Sequence, residues 1–132
     1  MSAPRRLRPE GLVRSPAFSH VAIVPPGATT IYVGGQNAVD SSGALIGDGD
    51  VAAQSVRALQ NVATALAAAG ASLQDVVQWT VLFVDGVDIS TGYAAIAGDL
   101  ATDEPGLITA ARVAGLGVPG ALVEISAVAA IV

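Results

Sequence analysis

The chain predicts an α+β sandwich, with helices on one face of a mixed β-sheet, in the order β-β-α-β-α-β-β. Three observations carry this. Residues 50–85 read as one long amphipathic helix, a tight reversal and one long strand. Strand and helix signals mix along the remainder, with a hairpin expected at each end of the series. The composition is 52% hydrophobic and only 13% charged over 132 residues, more apolar surface than two helices can cover.

The elements follow in chain order. Residues 1–14 form an N-terminal arm, and residues 15–132 a single domain. Phe18–Val24 reads as a strand. Pro25-Pro26-Gly27-Ala28 turns it, because proline fixes φ and glycine permits positive φ. Thr30–Gly35 returns as the second strand of a hairpin. Its paired Gly34-Gly35 allows a bulge or the close approach of another backbone or a ligand. A turn at Asp40-Ser41-Ser42-Gly43 follows.

Asp50 is a good helix N-cap, since its carboxylate can accept from the orphan N–H groups of the first turn. Behind it, Ala52, Val56, Leu59, Val62, Ala63 and Leu66 recur at helical spacing, with Gln54, Arg57, Asn61 and Thr64 mainly opposite. Gly70 suits the position just past the helix end. Ser72 and Asp75 fit a capping box. VVQWTVLFV is then too β-branched and aromatic for helix and reads as a strand of about nine residues. Val77, Trp79, Val81 and Phe83 share one face, and Val76, Gln78, Thr80 and Leu82 the other. Asp88 caps a second helix over Ile89–Leu100, with Tyr93, Ile96, Ala97 and Leu100 as its stripe. Gly92 and Gly98 count against it, at about 1 kcal/mol each relative to alanine. Leu107–Val113 and Ala121–Val132 are the last strands.

The helices cover one sheet face. Val, Leu, Ala and Ile from several strands are expected on the other, and packing that face against a second subunit would bury the excess. The alternative is an alanine-rich monomer.

Bulk properties exclude several functions. With no cysteine, disulfides, thiol catalysis and cysteine metal sites are ruled out. No metal-ligand pattern such as HExxH is present, and neither GxGxxG nor GxxxxGK is found. No apolar run reaches the roughly 18 residues of a membrane span. MSAPRRLRPE lacks the apolar core of a secretory signal, so a cytoplasmic location is expected. Net charge is −5. Residues 1–14 carry four arginines against Glu10, net +3; the remainder carries two arginines against ten acidic residues, net −8. A body that acidic is a poor nucleic-acid binder. The basic arm reads as solvated, with contact to an anionic partner as the alternative.

Candidate catalytic groups are few. The single histidine, His20, reads as structural or surface. Ser19 and His20 are adjacent, so they point to opposite faces of a strand and do not pair. Glu124 stands inside an almost wholly apolar strand, sharing a face with Ser126, Val128 and Ala130. A carboxylate on a covered face must be paired, hydrogen-bonded or protonated, which suits it to acid–base work. The other reading is a rim glutamate facing water.

The stretches YVGGQNAVDSSGALIGDGDVAAQSVRALQNVATALAAAGASLQDVVQWTVLFVD and GALVEISAVA resemble the Rid superfamily, also called YjgF-like or L-PSP endoribonuclease-like. The resemblance spans Ser15 to Val132. It implies a chorismate-mutase-like α+β fold and a homotrimer whose sheets form a central barrel. It also implies small-molecule pockets in the clefts between subunits. The best-known branch hydrolyses reactive enamines and imines such as 2-aminoacrylate, without a cofactor. An arginine there holds the substrate carboxylate, and a glutamate on the last strand positions water. By resemblance Glu124 is that glutamate. Phe18 falls near a pocket tyrosine, Gly34 where serine often precedes Gly-Gln, and Tyr93 near a frequent asparagine. The family's Pro-Ala-Arg run is replaced by Pro105-Gly106-Leu107-Ile108, so Leu107 or Ile108 takes the arginine's place. Arg112 reaches that place only if the register slips. The expected function is thus imine or enamine hydrolysis on a substrate other than 2-aminoacrylate. The alternative is a non-catalytic trimer that binds a small metabolite. Ribonuclease activity, attached to some members, is disfavoured by the acidic body and the lack of a histidine pair. No cofactor, metal, nucleic-acid or membrane partner is expected.

Overall fold

The computed structural model describes residues 3–132. Two helices, α1 (Val51–Ala68) and α2 (Ile89–Leu100), lie on one face of a four-stranded mixed sheet. Its strands are β3 (Thr29–Gln36), β4 (Val76–Val84), β5 (Leu107–Val113) and β6 (Val123–Ile131), in the spatial order β3-β6-β4-β5. β6 is antiparallel to both neighbours, while β4 and β5 run parallel, joined through α2. A separate ribbon pairs β1 (Arg5–Leu7) with β2 (Val21–Ile23).

The predicted α+β arrangement holds, and both helices begin on the expected caps. Asp50 Oδ1 accepts from the Ala53 N–H at 3.0 Å, and Asp88 Oδ1 from Ser90 at 2.9 Å. The Ser72/Asp75 box is present, and Gly70 takes φ +77°. Neither expected hairpin forms. Only Val21–Ile23 of the first predicted strand is extended, and it pairs with β1 rather than β3. The backbone before it is drawn elsewhere: Ser19 N donates to Gly106 O, and His20 N to Leu7 O. β6 does not fold back on β5 but enters between β3 and β4. Its alternate residues Val123, Ile125, Ala127 and Ala129 are all buried, which favours a central position.

The N-terminal arm is also corrected. Residues 5–7 are strand, and the Arg6 guanidinium donates to the carbonyls of Gln74 and Val76 at 3.0 and 2.9 Å. Met1 and Ser2 of that arm lie outside the described residues.

The core lies between sheet and helices. Leu59, Val62 and Leu66 of α1 and Ile96 and Leu100 of α2 meet Trp79, Val81 and Phe83 of β4. The buried stripe of α1 is rotated from the predicted one. Val56 is exposed, whereas Gln54 and Ser55 are fully buried. Gln54 is held by three main-chain bonds, to Gly47 O, Gly120 O and Leu122 N. Asn61 likewise donates to the carbonyls of Asn37 and Val39. The irregular segment after β3 packs beside α1, and its buried carbonyls need donors that apolar residues cannot supply. Helix α2 forms despite Gly92, whose place has a packing reason. A Cβ there would meet Phe83 Cε1 at 2.7 Å and Ser55 Oγ at 3.1 Å, so its absence lets α2 approach both β4 and α1.

Candidate functional site

The sheet face away from the helices is open in the chain. Pleating and register place its residues in rows across the sheet. Tyr32, Val128, Gln78 and Leu107 form one row; Ser126, Thr80 and Thr109 the next; Glu124, Leu82 and Ala111 the third. The expectation of a mainly apolar face is corrected. Threonine, serine, glutamine and tyrosine interleave with the aliphatic residues, because hydroxyl-bearing and β-branched side chains suit a strand without needing a dry core.

Glu124 is half-buried on this face. Its position depends on β3. The pairing of β3 with β6 shifts between Val33 and Gln36, a bulge made by Gly34-Gly35. A Cβ on Gly35 would lie 2.5 Å from Glu124 Cδ and 2.6 Å from Oε2. The carboxylate therefore lies directly against the Gly35 backbone; of the two uses expected of the paired glycines, the bulge is the one seen. Beside it is a hollow of about 290 Å³, lined by Tyr32, Gly34, Gln78, Thr80, Ser126 and Val128 among others. The hydroxyls of Thr80 and Ser126 can donate to or accept from a bound molecule. A Cβ on Gly34 meets nothing within 4 Å, so this part of the wall is open space.

The residues singled out from sequence fall into three groups. Gly34 lines the hollow, and Glu124 lies against the adjoining Gly35, one alternate position along β6 from the lining residue Ser126. Leu107 lies on the same face, beside Gln78 on the edge strand and outside the lining of the hollow, with Phe18 nearby through the Ser19 N–Gly106 O bond of 3.2 Å. Phe18 stands edge-on to His20, centroids 5.4 Å apart, and His20 Nε2 is 2.7 Å from Val13 O. Tyr93 and Ile108 are on the helix side. Ile108 packs against the core. Tyr93 lines a small apolar hollow with Ala17, Ala97 and Leu100, and burial raises the pKa of its phenol. Arg112 pairs with Phe83 in register, on the opposite face from Glu124, and donates to Val87 O at 3.0 Å. It does not replace the missing arginine.

Glu124 and Leu107 are two strands and four residues apart, on the order of 16 Å by strand geometry. Within one chain, one small molecule cannot touch both. Ser126 was legible as a companion of Glu124 from alternation. Thr80 was not, because its neighbourhood depends on which strand lies next to β4. Among the described residues no three acidic or histidine side chains cluster to hold a metal, and no helix is long and apolar enough to cross a membrane.

Similarity to known proteins agrees with this geometry. Residues 13–131 match the family model described as Endoribonuclease L-PSP. The rat 2-iminobutanoate/2-iminopropanoate deaminase is 39% identical over 75 residues, 57% of this chain and 53% of that protein, so the match spans about half its length. A Yersinia pestis protein of the conserved Rid family, YyfB, superposes with a TM-score of 0.86 at 29% identity. That match covers 98% of this chain and all of the other. The Escherichia coli YjgF gene product gives a TM-score of 0.68 at 32% identity, covering 80% and 83% of the two chains. A mixed sheet with β6 at its centre, two helices on one face and a match running almost end to end make this chain a member of the endoribonuclease L-PSP family of the Rid superfamily.

Proposed function

We propose that the chain hydrolyses a small imine or enamine to a carbonyl compound and ammonia. The observation that carries this is the Glu124 carboxylate, held against Gly35 on an open sheet face beside the Thr80 and Ser126 hydroxyls. In the reaction, an enamine first tautomerises to its imine; the oxygen of water bonds to the imine carbon, both protons of that water pass to the nitrogen, and the C–N bond breaks to leave the carbonyl compound and ammonia. The carboxylate accepts a hydrogen bond from the water and aligns it, and the hydroxyls hold the nitrogen or the developing alcohol. The deaminase name of the rat relative supports the reaction class.

The active unit is a homotrimer. One small substrate cannot span from Glu124 to Leu107 in one chain, so the site is completed by a second copy seated over the open face. Leu107 cannot bind a carboxylate as a guanidinium does. The substrate is therefore one whose recognition does not depend on that pair, and 2-aminoacrylate is hydrolysed little faster than it decays. The same residue favours a second reading, a non-catalytic trimer that stores or senses a small metabolite.

Two measurements test the proposal. Light scattering should give a mass about three times 13.0 kDa, and a mass near 13.0 kDa removes the shared site. A panel of imines generated in situ should include one that is hydrolysed, with Glu124→Gln lowering the rate at least tenfold, about 1.4 kcal/mol. Binding without turnover across the panel supports the storage reading. Turnover unaffected by Glu124→Gln sinks the mechanism.

A further inference from the structure

A second hollow lies at the N-terminal ribbon. Arg6, Arg8, Arg14, Ser19, Asp103 and Glu104 line about 240 Å³ there. The arrangement is built rather than incidental. Arg6 is fixed by the carbonyls of Gln74 and Val76, and Arg8 by the carbonyl of Asp103 at 3.2 Å. These partners orient the guanidiniums but neutralise no charge. Arg6 Nε and Arg8 Nε are buried without a hydrogen-bond partner, an unfavourable state for charged donors. Arg14 is exposed at the same opening. Three arginines face two carboxylates, a local net of +1 in a chain of net charge −5.

We propose that this hollow binds a small oxyanion, a carboxylate or a phosphate. The anion is held by Arg14 and by the donor edges of Arg6 and Arg8 that the carbonyls leave free. Guanidinium matches both groups with paired N–H donors. The volume is below the roughly 300–1,000 Å³ of a drug-sized ligand site, so the hollow takes one anionic group or a small dianion. Asp103 and Glu104 repel a polyanion, so nucleic acid is not the occupant. The site is independent of the hydrolysis proposed above and stands if that reading fails.

Arginine Nε–Hε resonances of the full chain should be followed while inorganic phosphate or malonate is added. The chain has six arginines, so the spectrum is simple. Saturable shifts of Arg6, Arg8 and Arg14 below about 10 mM are expected for at least one probe. The tighter probe tells phosphate from carboxylate. Arg14→Gln should weaken binding about tenfold, while Arg5→Gln removes the same charge from the neighbouring exposed position and should change it less than about twofold. No saturation with either probe overturns the proposal. So do equal losses in the two variants, or tighter binding of an RNA oligonucleotide than of both probes.

Discussion

Replacing Gly35 with alanine should dislodge the Glu124 carboxylate while leaving the fold intact. The new Cβ would lie 2.5 Å from Glu124 Cδ, where ordinary contact begins at 3.4 Å. The carboxylate must therefore retreat by about 0.9 Å, the difference of those distances. Gly35 does not have a left-handed φ, so alanine meets no backbone strain. The obstacle is the end of a flexible side chain, and swinging it off its rotamer costs about 0.5–1.5 kcal/mol. Alanine in place of glycine in a strand returns roughly 0.5–1 kcal/mol through the unfolded state. Stability by urea titration should thus change by less than about 1 kcal/mol. A displacement of about 1 Å is enough to lower turnover about a hundredfold. The positional effect can be read without a substrate. The chain has three glutamates, so carboxyl-¹³C-labelled glutamate gives a sparse spectrum. The Glu124 signal, assigned from Glu124→Gln, should move, and those of Glu10 and Glu104 should not. An unmoved Glu124 signal, or a loss above about 2 kcal/mol, would refute the reasoning, the latter by showing that the backbone absorbs the contact.

Other perturbations separate glycine from glycine and polar from apolar burial. Gly92→Ala should destabilise by about 1–3 kcal/mol because Phe83 and Ser55 occupy the space, whereas Gly98→Ala, which meets nothing within 4 Å, should stabilise by about 0.5–1 kcal/mol. Both are read by thermal and urea unfolding. Gln54→Leu keeps the volume but orphans two carbonyls and an N–H, and should cost about 2–4 kcal/mol in the same assay. Gly34→Ser should be neutral within about 0.5 kcal/mol, since its wall is open. Asp88 has its pKa lowered below 3.8 chiefly by the Thr91 hydroxyl. Its contribution is therefore complete above the unfolded value and is lost as pH falls through the folded one. Asp88→Asn should flatten the acid limb of the stability curve below about pH 4 and leave its slope near pH 7 unchanged.

The helices, their caps and all four strands of the main sheet were legible because each is decided locally. Asp50 and Asp88 cap whatever lies behind them, and VVQWTVLFV has no competing conformation. Pairing was not legible. Phe18–Val24 and Thr30–Gly35 flank a genuine turn, yet their partners lie some hundred residues along the chain or before residue 8. The site followed the same division. Glu124 stood out as a candidate by being charged among apolar neighbours, and Gly34-Gly35 by being paired. Ile108 and Tyr93 came in beside Leu107 and Glu124 through the family resemblance, and only the fold shows both on the helix side of the sheet. Arg6 and Arg8 looked like solvated tail, since nothing local shows that carbonyls of residues 74, 76 and 103 await them.

The central place of β6 has a consequence for how the chain is made. β3, α1, β4, α2 and β5 all leave the ribosome before it. Until it arrives, β4 and β5 are the one pair of neighbours in the four-stranded sheet able to form, and they do so in parallel, the weaker arrangement. β3 and the inner side of β4 meanwhile offer unsatisfied edges to one another and to neighbouring nascent chains. Closure by a late strand with distant partners is slow, as high contact order dictates. The interval between synthesis of Val84 and of Val123 is thus the window in which a chaperone, or a second copy of the same edge, competes for the slot that β6 will fill.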